Sequence, residues 1–445
     1  MMARSRGPGP LSAYQAAAGL PPWWNYMVVN RDGAPKSIAL NADVALSQDP
    51  AFAGAIRLDR LRGQTMLCAP VPWDQNALVP RPWQDSDDYQ AMLWLQENMV
   101  IVSLNITHEV INGIAARNAY HPIIDYFERL GGTSITTSIW DRIPRLGDPT
   151  NYSNSAGVSW LTYYLGARDS EYIRAVGSRW AISAVARIFE PGCQADCALI
   201  LEGATGIGKS STFKILGSPW YTNNIAALNT KDAQEQLVGI WIVELDELDT
   251  VNRSSEWSSV VSFISRSVDR FRFSYGHRVQ EFKRQCVFGG TTERDDWLPK
   301  LDGRRRFWPA RCGQDIDLDA LTADRDQLWA EALVRYGLGE RWHLYEDDLI
   351  EAAVREQEDR SPPDVWTDII MAFCKGKHYV TTTDVLLNAL GFPKDRLKNQ
   401  DQTRVAGVLR RHGWKRDQQR VPDENGIPKP TKIFVNPEFA HLFGE

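Results

Sequence analysis

The sequence predicts an α/β core with a mainly parallel sheet, preceded by a helical region and followed by a winged-helix-like unit. Three observations carry this prediction. A glycine-rich loop, "GATGIGKSS", stands between an apolar run and a helix-forming stretch. A second apolar run, "IWIVEL", ends in acidic residues. The end of the chain reads as helix, helix, then two short strands.

The whole chain sets the frame. Its 445 residues predict two to four domains. A hydrophobic share of 43% and a charged share of 24% are ordinary for a globular protein with sizeable cores. The formal charge of −6 excludes a global basic field, so nucleic-acid binding would need local patches. The 17 tryptophans are expected in cores. The six cysteines form no CxxC pair, and Cys193 and Cys197 have no matching zinc partners downstream. They read as reduced buried thiols of a cytoplasmic protein. No apolar run has the length of a membrane span, so no membrane partner is expected.

Residues 1–20 read as a flexible arm. Residues 21–150 alternate short apolar runs with turns and include helical spacing in "EVINGIAARNAYHPIIDYFERL". The Pro, Gly and Asn of "RIPRLGDPTNYSNSAG" mark its end. Residues 151–345 carry the α/β pattern. Residues 346–364 form a charged helix and a Pro-containing break, which reads as a linker. Residues 365–445 form the last unit.

The loop is the strongest signal. Gly203, Gly208, Lys209 and Ser210 satisfy G-x-x-x-x-G-K-[ST] without departure. Backbone N–H groups of Gly203, Ala204, Thr205, Gly206, Ile207 and Gly208 would turn inward around a phosphate. The following helix start would add its partial positive charge. Lys209 would reach the β- and γ-phosphates of ATP, Ser210 would ligate Mg²⁺, and Ser211 would sit in the first helical turn. Downstream, "WIVELDELD" supplies carboxylates. Asp246 is assigned to the metal and Glu247 to the attacking water, with Glu244 open for either role.

"DRFRFSYGHRVQEFK" alternates aromatic and basic residues about a Gly276-His277 turn and predicts a hairpin. Arg272, His277, Arg278, Lys283 and Arg284 would decorate it, either as contacts to a single strand or as solvated edge charges. The next apolar run ends in Thr291-Thr292, where a hydroxyl would lie beside the γ-phosphate. From Ser265 to Arg311 twelve basic residues face six acids, so positive charge is concentrated here.

These stretches, with "YHPIIDYFERL", "WDRIPRL", "VARIFEPGCQADC" and "GRRRFWP", occur in an order that resembles the virulence-associated protein E family of P-loop ATPases from phages and mobile elements. The order is also similar to that of superfamily 3 helicases. The resemblance spans roughly residues 20–340. It implies an AAA+/superfamily 3-like core, ATP hydrolysis, hexameric rings, replication of a phage or other element, and a channel-lining hairpin that brings His277 and Arg278 to the strand. Two positions depart from the family pattern. Glu293 stands where the family has Asn after the Thr pair, which leaves Thr292 as the phosphate sensor. Arg304 stands where the family has Asn, so the arginine that completes a neighbouring subunit's site is carried to Arg305 or Arg306.

In the last unit, Trp366–Arg420 holds eleven basic and five acidic residues. That balance suits a winged helix on duplex DNA, and equally one used for protein contact. Three functions compete. They are a translocase on single-stranded or forked DNA, an initiator or regulator that assembles replication partner proteins without unwinding, and a kinase of a small substrate. The basic hairpin and the lack of a lid signature argue against the third.

Overall fold

The computed structural model describes residues 20–31, 33–132, 159–228, 230–246, 254–272, 279–299, 303–362, 364–422 and 428–442. Two compact units divide after Asp359.

The first unit begins with α1 (Ala39–Gln48) and a small antiparallel sheet of β1 (Ile56–Asp59), β2 (Gln64–Leu67) and β3 (Arg81–Pro82). Of the next two helices, α2 (Asp85–Glu97) and α3 (Leu104–Arg117), α3 packs on this sheet and α2 packs on α3. Trp23, Phe52, Leu67, Leu95 and Ile111 fill its core. The next helix, α4 (Pro122–Gly132), joins a different core, with Ile123 and Phe127 packed among Trp180, Trp241 and Trp329. Packing therefore regroups between α3 and α4, earlier than residue 150. The expected boundary itself, at residue 150, falls within 133–158, which lies outside the described residues.

The central sheet holds β4 (Ala198–Glu202), β5 (Tyr221–Thr222), β6 (Ile242–Leu245), β9 (Val287–Thr292) and β10 (Phe307–Arg311). Its order is β10-β4-β9-β6-β5, and every neighbouring pair is parallel. The apolar runs are continuous because both faces are covered. Leu199 and Leu201 enter one core while Ala198 and Ile200 enter the other, as the two-residue period requires. Helix α5 (Glu171–Phe189) starts at Ser170, whose hydroxyl accepts from the Ile173 amide, and lies buried against the sheet. Tryptophan N–H groups stitch the layers together. Trp180 donates to the Phe288 carbonyl at 2.8 Å, and Trp241 to that of Ala184 at 2.9 Å. Trp329 of α8 (Leu318–Gly337) donates to the Leu216 carbonyl of α6 (Lys209–Gly217) at 3.0 Å. Phe213 of α6 lies so close to β9 that a Cβ at Gly289 would stand 2.4 Å from its ring.

Beyond α7 (Ser254–Ile264), the predicted hairpin forms from β7 (Val268–Phe271) and β8 (Gln280–Lys283), antiparallel, with Val268 opposite Lys283. Phe271 and Phe282 stack with centroids 4.7 Å apart. Arg284 does not decorate this hairpin. It is buried, forks onto the Asp269 carboxylate at 2.5 and 2.9 Å, and fixes the hairpin's base.

Residues 346–364 do not form a linker throughout. Helix α9 (Asp347–Asp359) buries Leu349 and Ala353, and the Gln357 amide donates to the Phe307 carbonyl at 3.0 Å. The expectation rested on its charged composition, but its apolar stripe binds it to the first unit.

The second unit contains α10 (Thr367–Cys374) and α11 (Asn399–Arg411) over a core of Ile370, Leu386, Val405, Leu409, Trp414 and Phe434. The two expected strands are β12 (Lys415–Pro422) and β13 (Pro428–Val435). A third, β11 (Tyr379–Val380), completes an antiparallel sheet of order β11-β13-β12. Among the described residues no helix is long and apolar enough to cross a membrane.

Candidate nucleotide site

The loop Gly203–Gly208 leaves the end of β4 and enters α6 directly. Gly208 caps the helix with φ 106°, a left-handed conformation that a side chain would strain. The Lys209 ammonium is buried and donates to the carbonyls of Gly203 and Ala204, each at 2.7 Å. Thr205, Gly206, Gly208, Lys209, Ser210 and Ser211 line a cleft of about 260 Å³. Ile207 instead turns inward to pack on the core.

The opposite wall comes from the strand ends. Asp246 follows β6, and Thr291 and Thr292 end β9; all three line the cleft, together with Glu293. β4 lies beside β9, so the loop and the threonines share one edge of the sheet. The Gly203 amide donates to the Thr292 carbonyl at 3.2 Å, and the Thr292 hydroxyl accepts from the Arg294 amide at 3.2 Å. The Thr205 hydroxyl donates to Glu293, which joins the loop to the strand end.

Glu244 does not line this cleft. It is buried in β6, where it accepts from the Tyr221 hydroxyl and, at 3.1 Å, from the Thr291 hydroxyl. Burial, then the bond to Glu244, pushes the Tyr221 phenol above its ordinary range. Glu244 thus ties three strands together. Glu247 lies outside the described residues.

The sequence reading missed two acids. Glu202, immediately before the loop, is buried and accepts from the Trp297 indole at 2.7 Å. An acid closing an apolar strand was its only signal. Asp196, just before β4, accepts from Arg306 Nε at 2.7 Å.

The arginines lie at the other end of the sheet. Phe307 pairs with Ala198, so Arg304, Arg305 and Arg306 precede the start of β10, whereas the loop follows the end of β4. The separation is about 17 Å over five residues, more than an arginine spans, so these guanidiniums do not serve their own chain's cleft. Arg304 pairs with Glu358 at 3.2 Å, and Arg306 with Asp196. Arg305 is exposed and makes no ion pair among the described residues.

On the hairpin, Arg272 and Lys283 are exposed, while His277 and Arg278 lie outside the described residues.

Residues 140–362, half of the chain, match the virulence-associated protein E-like domain. The chain belongs to that family. No curated protein matches this family member in sequence. Among solved structures it is similar to the apo form of the NrS-1 C-terminal region, at 11% identity and a TM-score of 0.39, over 85% of this chain and 95% of that one. An A-form apo structure of the same region aligns at 15% identity and a TM-score of 0.30, over 58% of this chain and 70% of the other.

Proposed function

We propose that this family member is an ATP-hydrolysing nucleic-acid motor, a ring-forming superfamily 3-like DNA helicase that serves replication of a phage or mobile element. The observation that carries the reading is the single cleft in which the glycine loop, Lys209, Ser210 and Asp246 meet. The residues fit the groups implied. A glycine loop at a helix N-terminus suits a polyphosphate. A hydroxyl and a carboxylate suit Mg²⁺, which takes few protein oxygens and keeps waters and phosphate oxygens as its other ligands.

In this reading the loop amides hold the β-phosphate. Lys209 exchanges the Gly203 and Ala204 carbonyls for phosphate oxygens. Ser210 and Asp246 hold Mg²⁺, which when bound neutralises developing phosphate charge. Glu247 orients the attacking water, and Thr292 senses the γ-phosphate. Arg305 serves the next subunit's cleft in a hexameric ring, since Arg304 and Arg306 are committed to Glu358 and Asp196. Arg272, His277, Arg278 and Lys283 contact the strand. The basic second unit acts as a winged helix on DNA.

ATP hydrolysis and forked-duplex strand displacement with wild type and Lys209→Ala test the reading. Wild type should do both, and Lys209→Ala neither. Hydrolysis without displacement on any fork would favour an initiator or regulator. No hydrolysis by wild type would overturn the motor altogether.

A further inference from the structure

A second cleft, of about 340 Å³, lies where the β1–β2 turn meets the hairpin base. The turn reads "DRLRG". Asp59 is buried, and its carboxylate accepts from the Leu61 amide at 2.8 Å and the Arg62 amide at 3.0 Å. Leu61 is buried in the core around the central sheet, while its strand neighbours Ile56 and Leu67 belong to the N-terminal core. The turn is therefore pinned at both ends, and Arg60 is held exposed at the lip of the cleft. The hairpin supplies the facing wall through Phe282 and Lys283.

The charges decide what such a cleft takes. Two acids line it. Asp269 is neutralised by buried Arg284. Glu281 lies 3.9 Å from Arg270, and both are exposed. Arg60 and Lys283 make no ion pair among the described residues, so the cleft keeps uncompensated positive charge. Two cations at one cleft suit a phosphate more than a neutral ligand.

We propose that this cleft binds a phosphodiester of a single-stranded polynucleotide, with Arg60 and Lys283 as its two cations. The proposal rests on the reading of the hairpin as a strand contact. It adds the N-terminal region, to which no chemistry had been assigned, as one wall of the strand's path. DNA and RNA share the phosphodiester, so both are tested.

The experiment measures binding of oligo(dT) and oligo(rU) to the full chain by fluorescence anisotropy across a salt series. The slope of log affinity against log salt should fall by about 0.7 in Arg60→Ala, by the same in Lys283→Ala, and by about 1.4 in the double variant. Arg60→Lys should keep the wild-type slope. Arg57→Ala should also keep it, because Arg57 stacks over Tyr120 at 4.3 Å and does not line the cleft. A loss with either oligonucleotide supports the site and names its sugar. A wild-type slope in Arg60→Ala, or an equal fall in Arg57→Ala, overturns the cleft and leaves the hairpin reading standing. Salt-independent or absent binding by wild type overturns both, while ATP hydrolysis is judged separately.

Discussion

Three adjacent arginines should separate cleanly into struts and a free group. Arg306 and Asp196 are 2.7 Å apart, with side chains only 17% and 14% exposed. Breaking a fully buried pair costs about 3–5 kcal/mol, and an exposed pair contributes about 0–1 kcal/mol. This pair falls between, so Arg306→Ala should lose about 2 kcal/mol. In a unit of this size that corresponds to roughly 3 °C in Tm, from an unfolding entropy of about 2.1 cal/mol/K per residue. Arg304 pairs with Glu358 at 3.2 Å and the acid is 42% exposed, so Arg304→Ala should cost less than about 1 kcal/mol. Arg305→Ala should stay within about 0.5 kcal/mol of wild type. Urea denaturation without nucleotide measures all three, and a cycle with Asp196→Ala should return a coupling of about 1 kcal/mol or more. ATP turnover should show the reverse order, with Arg305→Ala losing about three powers of ten if it acts in the neighbour's site. Equal stability losses in Arg305→Ala and Arg306→Ala, or no loss in Arg306→Ala, would refute the division into strut and finger.

Two further outcomes follow from packing and charge. Burial alone would raise the Glu346 carboxyl, but the Arg179 guanidinium holds it down at about 2, below the ordinary 4.5. Its contribution to stability is therefore complete above about pH 4.5 and lost as pH falls toward 2. Glu346→Gln should abolish that part of the acid sensitivity in a pH-dependent urea series, and an unchanged profile would remove the pair from the account. In the sheet, Gly289→Ala should destabilise by about 1–3 kcal/mol, because its methyl carbon would meet the Phe213 ring at 2.4 Å. Phe213→Leu in the same chain should recover part of the loss, and thermal denaturation measures both.

How much was legible depended on whether a residue's role is local. The loop, the acidic strand end and the hairpin are short patterns whose meaning lies within a few residues. The structure brings the loop, Asp246 and Thr292 to one cleft. Roles fixed by distant partners left no such trace. Glu244 looks like a second candidate for chemistry because a carboxylate in a strand needs a reason. The reason is two hydroxyls, from Tyr221 and Thr291, on flanking strands. Arg305 and Arg306 are indistinguishable as letters, and only Asp196, far back in the chain, tells them apart. Leu61 looks like any turn residue, yet it is buried in a core to which its strand neighbours do not belong. The two-residue β11 is too short to show a period at all. The same limit governs the first departure from the family pattern. In the structure Glu293 accepts from Thr205 and so bridges the loop to β9. A position that reads from sequence as a lost sensor is, in the structure, a brace of the loop, and its carboxylate belongs to the same cleft as Lys209.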